Sequence, residues 1–150
     1  MKFKSLALAA LLSFAAAPAM AAECTINITG NDAMQFDVKE IEVSKSCEEV
    51  TIDFKHVGNL PKAAMGHNVV ITKEADAQAV VTEGAAAGPA KDYLNEEDER
   101  LVAFTKMLGG GEEDTVTFKP SDLEDGEKYM FFCSFPGHFA LMKGEVKLVD

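Results

Sequence analysis

The chain has 150 residues, with 25 Asp and Glu against 14 Lys and Arg and a formal net charge of -11. That acidity argues against nucleic acid as a partner, because phosphate binding needs a basic face. It suits a solvated, self-repelling surface, and the length suits one domain with one core.

The first predicted element is an export signal. Lys2 and Lys4 make a positive start, residues 6–17 are apolar but too few to anchor in a bilayer, and Ala19-Met20-Ala21 fits a small-x-small cleavage site. Residues 1–21 are therefore expected to be a cleaved signal peptide, and 22–150 a single exported domain. That domain would carry 12 basic and 25 acidic side chains, a formal charge of -13. No second apolar run of spanning length follows, so the mature chain is not expected to span a membrane.

Short strands come next. Residues 25–28 alternate, and residues 50–55 alternate cleanly with Val50, Ile52 and Phe54 on one face. His56 ends this run and is expected on the opposite face. Val69-Val70-Ile71 is β-branched, and 115–118 and 145–148 alternate again. Turn residues separate the runs: Gly30-Asn31-Asp32, Gly58-Asn59, Gly109-Gly110-Gly111 and Asp125-Gly126. Residues 74–87 break the pattern. They are alanine-rich and end at Gly88-Pro89, which predicts one helix inserted between strands. Residues 91–100 are charged and read as surface loop. The whole predicts an antiparallel sandwich or barrel with one helical insertion.

Three cysteines make an odd number. In an oxidising compartment two should pair and one should remain. The economical pairing joins Cys24 to Cys47 and leaves Cys133 a thiol. An exposed thiol would be oxidised there, so Cys133 needs protection, and a bound soft metal ion would provide it.

Chemistry concentrates in residues 129–142, which contain Cys133-x4-His138-x3-Met142. A strand enters at 129–132, Pro136-Gly137 turns the chain, and the loop can bring a thiolate, an imidazole and a thioether to one point. Zinc has little use for thioether, whereas copper accepts all three donors. A fourth ligand must come from elsewhere, and the remaining histidines are His56 and His67. Two His, one Cys and a weak axial Met form an electron-transfer copper set.

Several segments carry a family resemblance: Ala22-Glu23-Cys24, Gly30-Asn31-Asp32, Asn59-Leu60-Pro61-Lys62, Met65-Gly66-His67-Asn68, Lys91-Asp92-Tyr93-Leu94, and residues 129–142. With them the sequence resembles the azurins, bacterial blue copper proteins of the cupredoxin family. The resemblance implies an all-β, eight-stranded Greek-key sandwich with one short helical insertion. It implies one Cu(I)/Cu(II) ion held by His67, Cys133 and His138, with Met142 weakly axial and the Gly66 carbonyl oxygen opposite. Asn68 would tie the ligand loops together, and the backbone N–H groups of Asn68 and Phe135 would donate to the Cys133 sulfur. The Cys24–Cys47 disulfide is also a family feature. His56 would pack near the site as a core residue able to titrate, without binding metal.

Met34, Leu60, Ala63, Met65, Phe139 and Ala140 would form an apolar docking patch around the exposed edge of His138. Electrons would enter and leave there, exchanged with redox proteins such as c-type cytochromes or reductases of the periplasm. A non-enzymatic monomer forming transient complexes is implied. Three positions depart from the family pattern. There is no tryptophan, Val69 stands where several azurins bury one, and Phe104 stands where some carry a surface histidine. The strong acidity would favour basic partners at low salt.

Other readings fit less well. A copper carrier would favour exposed, exchangeable ligands, whereas these come from two separated segments. A Cys133 nucleophile with His138 as base lacks an orienting Asp or Asn. A copper oxidase or reductase would need more ligands than three histidines leave.

Overall fold

The computed structural model describes residues 23–150, so the predicted signal peptide lies outside the described residues. Among the described residues nine strands form: β1 Thr25–Asn31, β2 Gln35–Phe36, β3 Glu40–Ser44, β4 Val50–His56, β5 Val70–Lys73, β6 Ala103–Phe104, β7 Glu113–Phe118, β8 Tyr129–Phe132 and β9 Lys143–Val149. One sheet runs β2-β1-β4-β7 and the other β3-β9-β8-β5-β6. The β1/β4 and β3/β9 pairs are parallel, and the rest are antiparallel.

Period-2 burial turns these strands into a sandwich. Ile28, Ile52 and Phe54 of the first sheet meet Ile41, Val43, Phe131 and Val146 of the second in one core. Each such side chain, taken fully from water, contributes about 1.5–3 kcal/mol. Phe36 bridges the layers, with its ring 5.9 Å from Phe54 and 5.4 Å from Phe131. Val69, where the family resemblance points to a missing tryptophan, is fully buried in this same core.

The predicted helix is present as α2, Glu74–Ala87, stopped at Gly88 with φ 77°. It packs outside the second sheet through Ala77 and Val80, in a cluster with Val70, Leu94 and Phe132. A second helix, α1 Lys62–Met65, was not foreseen, because a single turn carries no periodicity. Nine strands stand against the eight expected, and two of the nine, β2 and β6, are only two residues long. Strand β3 was also missed, although Ile41 and Val43 alternate with Glu40 and Glu42.

Two local expectations need correction. His56 lies on the same face as Val50, Ile52 and Phe54, since even spacing along a strand preserves the face. Gly30 and Asn31 belong to β1, and the turn begins only at Asp32.

The strand ends divide the chemistry. Cys24 and Cys47 are joined by a disulfide where β1 and β4 begin, with Cα atoms 5.8 Å apart. At the other end lie the C-termini of β1, β4 and β8 and the approach to β5, which together carry Asn31, His56, Cys133 and His67.

Candidate metal centre

His67 and Cys133 come from neighbouring strands. His67 lies three residues before β5, Cys133 follows β8, and Val70 pairs with Phe132 in the ladder between them. His67 is locked by a two-way backbone bridge with Leu108, at 3.0 and 2.7 Å. The loop after Cys133 folds back on itself. Cys133 N–H donates to the Met142 carbonyl at 3.0 Å, and Met142 N–H to the His138 carbonyl at 2.8 Å. Asn68 clamps the two segments: Ser134 N–H donates to its Oδ1 at 2.9 Å, and its Nδ2 donates to Ser134 Oγ at 2.9 Å.

Three donor atoms therefore converge. His67 Nδ1 and His138 Nδ1 are 3.2 Å apart, and Cys133 Sγ is 3.9 and 3.7 Å from them. The centre of a triangle with those sides lies about 2.1 Å from each corner, close to metal–imidazole and metal–thiolate bond lengths. The ring orientation suits the same purpose. His67 Nε2–H donates to the Asn31 carbonyl at 2.8 Å, which leaves the Nδ1 lone pair facing the centre. His56 packs beside the site without joining the donor cluster. It is fully buried, donates from Nε2 to the Met65 carbonyl at 2.8 Å, and accepts at Nδ1 from Gly58 N–H at 3.0 Å. Its ring stacks on His67, with both ring nitrogens bonded to backbone groups.

The environment is dry. His67 and Cys133 are 0% exposed, and His138 is 3% exposed. Burial pushes the Cys133 thiol up to about 12, against hydrogen bonds from the Asn68 and Phe135 backbone N–H groups that pull the other way. Burial first, then the neighbouring His67 and His56, lowers His138 to about 4, and burial lowers His67 as well. A pocket that disfavours a bare thiolate and a bare imidazolium suits a cation that supplies the compensating charge. Two imidazoles, one thiolate and a nearby thioether select copper among such cations.

Two glycines make room. A Cβ on Gly30 would sit 3.1 Å from His67 Cδ2 and 3.2 Å from Phe54 Cζ, so the His67 ring lies directly on β1. Gly66 presents its carbonyl oxygen 3.8 Å from Cys133 Sγ. The Met107 thioether packs against Gly66 and is 3% exposed, a neighbour with no sequence signal of its own. Met142 is fully buried in the same core as Cys133. Of the expected patch, Leu60 and Ala140 are exposed, whereas Met34, Met65 and Phe139 are half-buried. The expected exposed edge of His138 is in fact a narrow opening, beside Phe135 at 4.6 Å between ring centroids.

Residues 22–149 match the family described as copper binding proteins, plastocyanin/azurin family. The azurin of Pseudomonas aeruginosa is 54% identical over 145 residues, 97% of this chain and 98% of that one. The azurin of Bordetella pertussis is 57% identical over 141 residues, 94% of each chain. Azurin-1 of Alcaligenes xylosoxydans xylosoxydans is 59% identical over 129 residues, covering 86% of this chain and all of that one. Among solved structures, an azurin (Az-iso2) from Methylomonas sp. strain J superposes with a TM-score of 0.82 at 44% identity, over 86% of this chain and 100% of that one. The buried two-histidine, one-cysteine cluster and a likeness running nearly end to end have one meaning: the chain belongs to the plastocyanin/azurin family of copper-binding proteins.

Proposed function

We propose that this protein is a periplasmic blue copper protein that passes single electrons between redox proteins. Copper would be held by His67 Nδ1, Cys133 Sγ and His138 Nδ1, with the Met142 thioether and the Gly66 carbonyl as further weak donors. The observation that carries this reading is the convergence of those three buried atoms, within 4.8 Å of one another, in one cluster.

Bound copper supplies the Cu(I)/Cu(II) couple. The chain's own residues keep the site nearly unchanged between the two states. The Leu108 bridge, the Asn68–Ser134 clamp and the His67–Asn31 hydrogen bond each hold a ligand from behind, so little has to move when the charge changes. Hydrogen bonds from Asn68 and Phe135 N–H to the Cys133 sulfur favour thiolate charge and bias the potential.

His138 is the least enclosed of the three and adjoins Phe139, Ala140 and Leu141, so electrons enter and leave through its edge. Met34, Leu60 and Met65 extend that apolar surface. A small apolar contact suits brief encounters with partners such as c-type cytochromes or periplasmic reductases. The domain works as a monomer after removal of residues 1–21. Among the described residues no helix is long and apolar enough to cross a membrane.

Optical spectroscopy tests the proposal. Protein loaded with Cu(II) should be intensely blue, from charge transfer out of the Cys133 sulfur, and should bleach on reduction. Cys133→Ser should remove the colour, and replacing Met142 should mainly shift the potential. A colourless Cu(II) complex of the unaltered protein would overturn it.

A further inference from the structure

Two lysines flank the surface beside His138. Lys143 Nζ sits 4.8 Å over the Phe139 ring centroid, and Lys39 Nζ donates to the Leu141 carbonyl at 3.1 Å. Both lysines are exposed, and among the described residues neither has a carboxylate at ion-pair distance. Seven of the other ten basic side chains of residues 22–150 are ion-paired. Asp37, two residues before Lys39, accepts from Thr29 N–H at 2.7 Å, and other acids are engaged as well. Asp32 accepts from the Asn59 and Leu60 N–H groups at 2.8 and 3.3 Å, Asp92 faces Lys62 at 3.1 Å, and Glu40 and Glu145 both face Lys147. Two uncompensated positive charges are thus fixed to the apolar residues next to His138, on a domain of formal charge -13.

We propose that the apolar surface of Phe139, Ala140 and Leu141, flanked by Lys39 and Lys143, docks a redox protein whose cofactor edge is ringed by carboxylates. The proposal rests on His138 being the electron port. At about 0.1 M salt, charges more than about 10 Å apart are largely screened. The distant acidic surface then repels weakly, while the two lysines act at contact range. Carboxylates of the partner would meet both Nζ atoms as water leaves the apolar centre, and the acidic remainder would disfavour every other orientation. Overall charge alone pointed to a basic partner; the local arrangement points to an acidic contact.

The test uses copper-loaded, reduced protein and two probes: cytochrome c, a basic protein, and cytochrome c with its lysines succinylated. Each reaction oxidises Cu(I) to Cu(II) and reduces ferric haem to ferrous, and stopped flow at about 0.1 M ionic strength reads the rate constant. The double variant Lys39→Gln, Lys143→Gln should slow reduction of the succinylated probe about tenfold and speed that of the native one. Its control, Lys119→Gln with Lys128→Gln, makes the same net charge change at the opposite ends of β7 and β8, and should change each rate less than about twofold. Equal effects of the two pairs, or no effect of the first, would overturn the proposal. Leu141→Gln separates the two ideas. If it slows both probes while the lysine pair does nothing, the apolar port stands and the charge selection falls. If it changes neither rate, the port itself is misplaced.

Discussion

His56 lies flat against His67, with ring centroids 4.3 Å apart and planes inclined by 16°. One histidine offers its Nδ1 to the metal centre; the other ties its ring to the Met65 carbonyl and Gly58 N–H and so forms the floor beneath the ligand. His56→Ala should therefore leave a void under His67 and orphan two backbone groups. The expected cost is about 2–4 kcal/mol in urea unfolding, with the blue band retained. A loss under about 0.5 kcal/mol would mean that the floor is dispensable.

Gly66→Ala tests the close packing behind the carbonyl. The new Cβ would lie 2.7 Å from the Lys62 carbonyl oxygen and 3.0 Å from Met107 Cγ and Sδ. The backbone at Gly66, φ -64° and ψ 141°, is open to any residue, so the penalty is purely steric. Destabilisation of about 1–3 kcal/mol and an altered Cu(II) spectrum are expected. Adding Met107→Ala should recover only part of the stability, because the Lys62 backbone cannot move aside as a thioether can. Full recovery would show that Lys62 yields.

The disulfide stands at the end of the sandwich away from the ligands. Replacing Cys24 and Cys47 by alanine should lower stability by about 3 kcal/mol in chemical denaturation. The absorption spectrum and potential should be unaffected, and a changed blue band would argue that strain crosses the whole sheet.

Protein stripped of copper should lose stability on mild acidification. Burial holds His138 at about 4, whereas the unfolded imidazole titrates near 6.5. Between those values the unfolded chain binds the extra proton, so the contribution is complete above pH 6.5 and disappears as pH falls toward 4. His67, also lowered, acts in the same direction. Urea midpoints from pH 7.5 to 4 should fall steeply for the stripped protein and less for a His138→Gln variant. Copper-loaded protein should resist the fall, since bound metal excludes the proton. A flat profile for the stripped protein would contradict this account.

Leu60 is 41% exposed at the edge of the proposed port. Leu60→Asp should slow electron self-exchange about tenfold by placing a charge in a self-complementary contact, with the colour unchanged. Magnetic-resonance line broadening on mixed oxidised and reduced protein measures this directly, and an unaltered exchange rate would remove Leu60 from the contact.

Local pattern carried much of the fold. The alternation of Val50, Ile52 and Phe54, the alanine-rich run ending at Gly88-Pro89, and the spacing of Cys133, His138 and Met142 were all legible, because each is a short-range regularity imposed by a strand, a helix or a tight loop. The single-turn helix α1 and the two-residue strands β2 and β6 were not, because so few residues hold no period. Met107 over Gly66 was invisible for a different reason: 41 positions separate them along the chain, and nothing in either residue announces the contact.

The sequence by itself determined which residue types could bind a soft metal, which cysteine was left over, and to which family the chain was similar. Those conclusions depend on composition and spacing, which the chain carries whether folded or not. Only the tertiary structure decided that three donor atoms from separate segments meet around one point, that His56 supports His67 from beneath, and that Lys39 reaches across 102 positions to the Leu141 carbonyl. Such relations arise when two sheets close on a shared core and bring distant strand ends together, a constraint that no stretch of sequence contains alone.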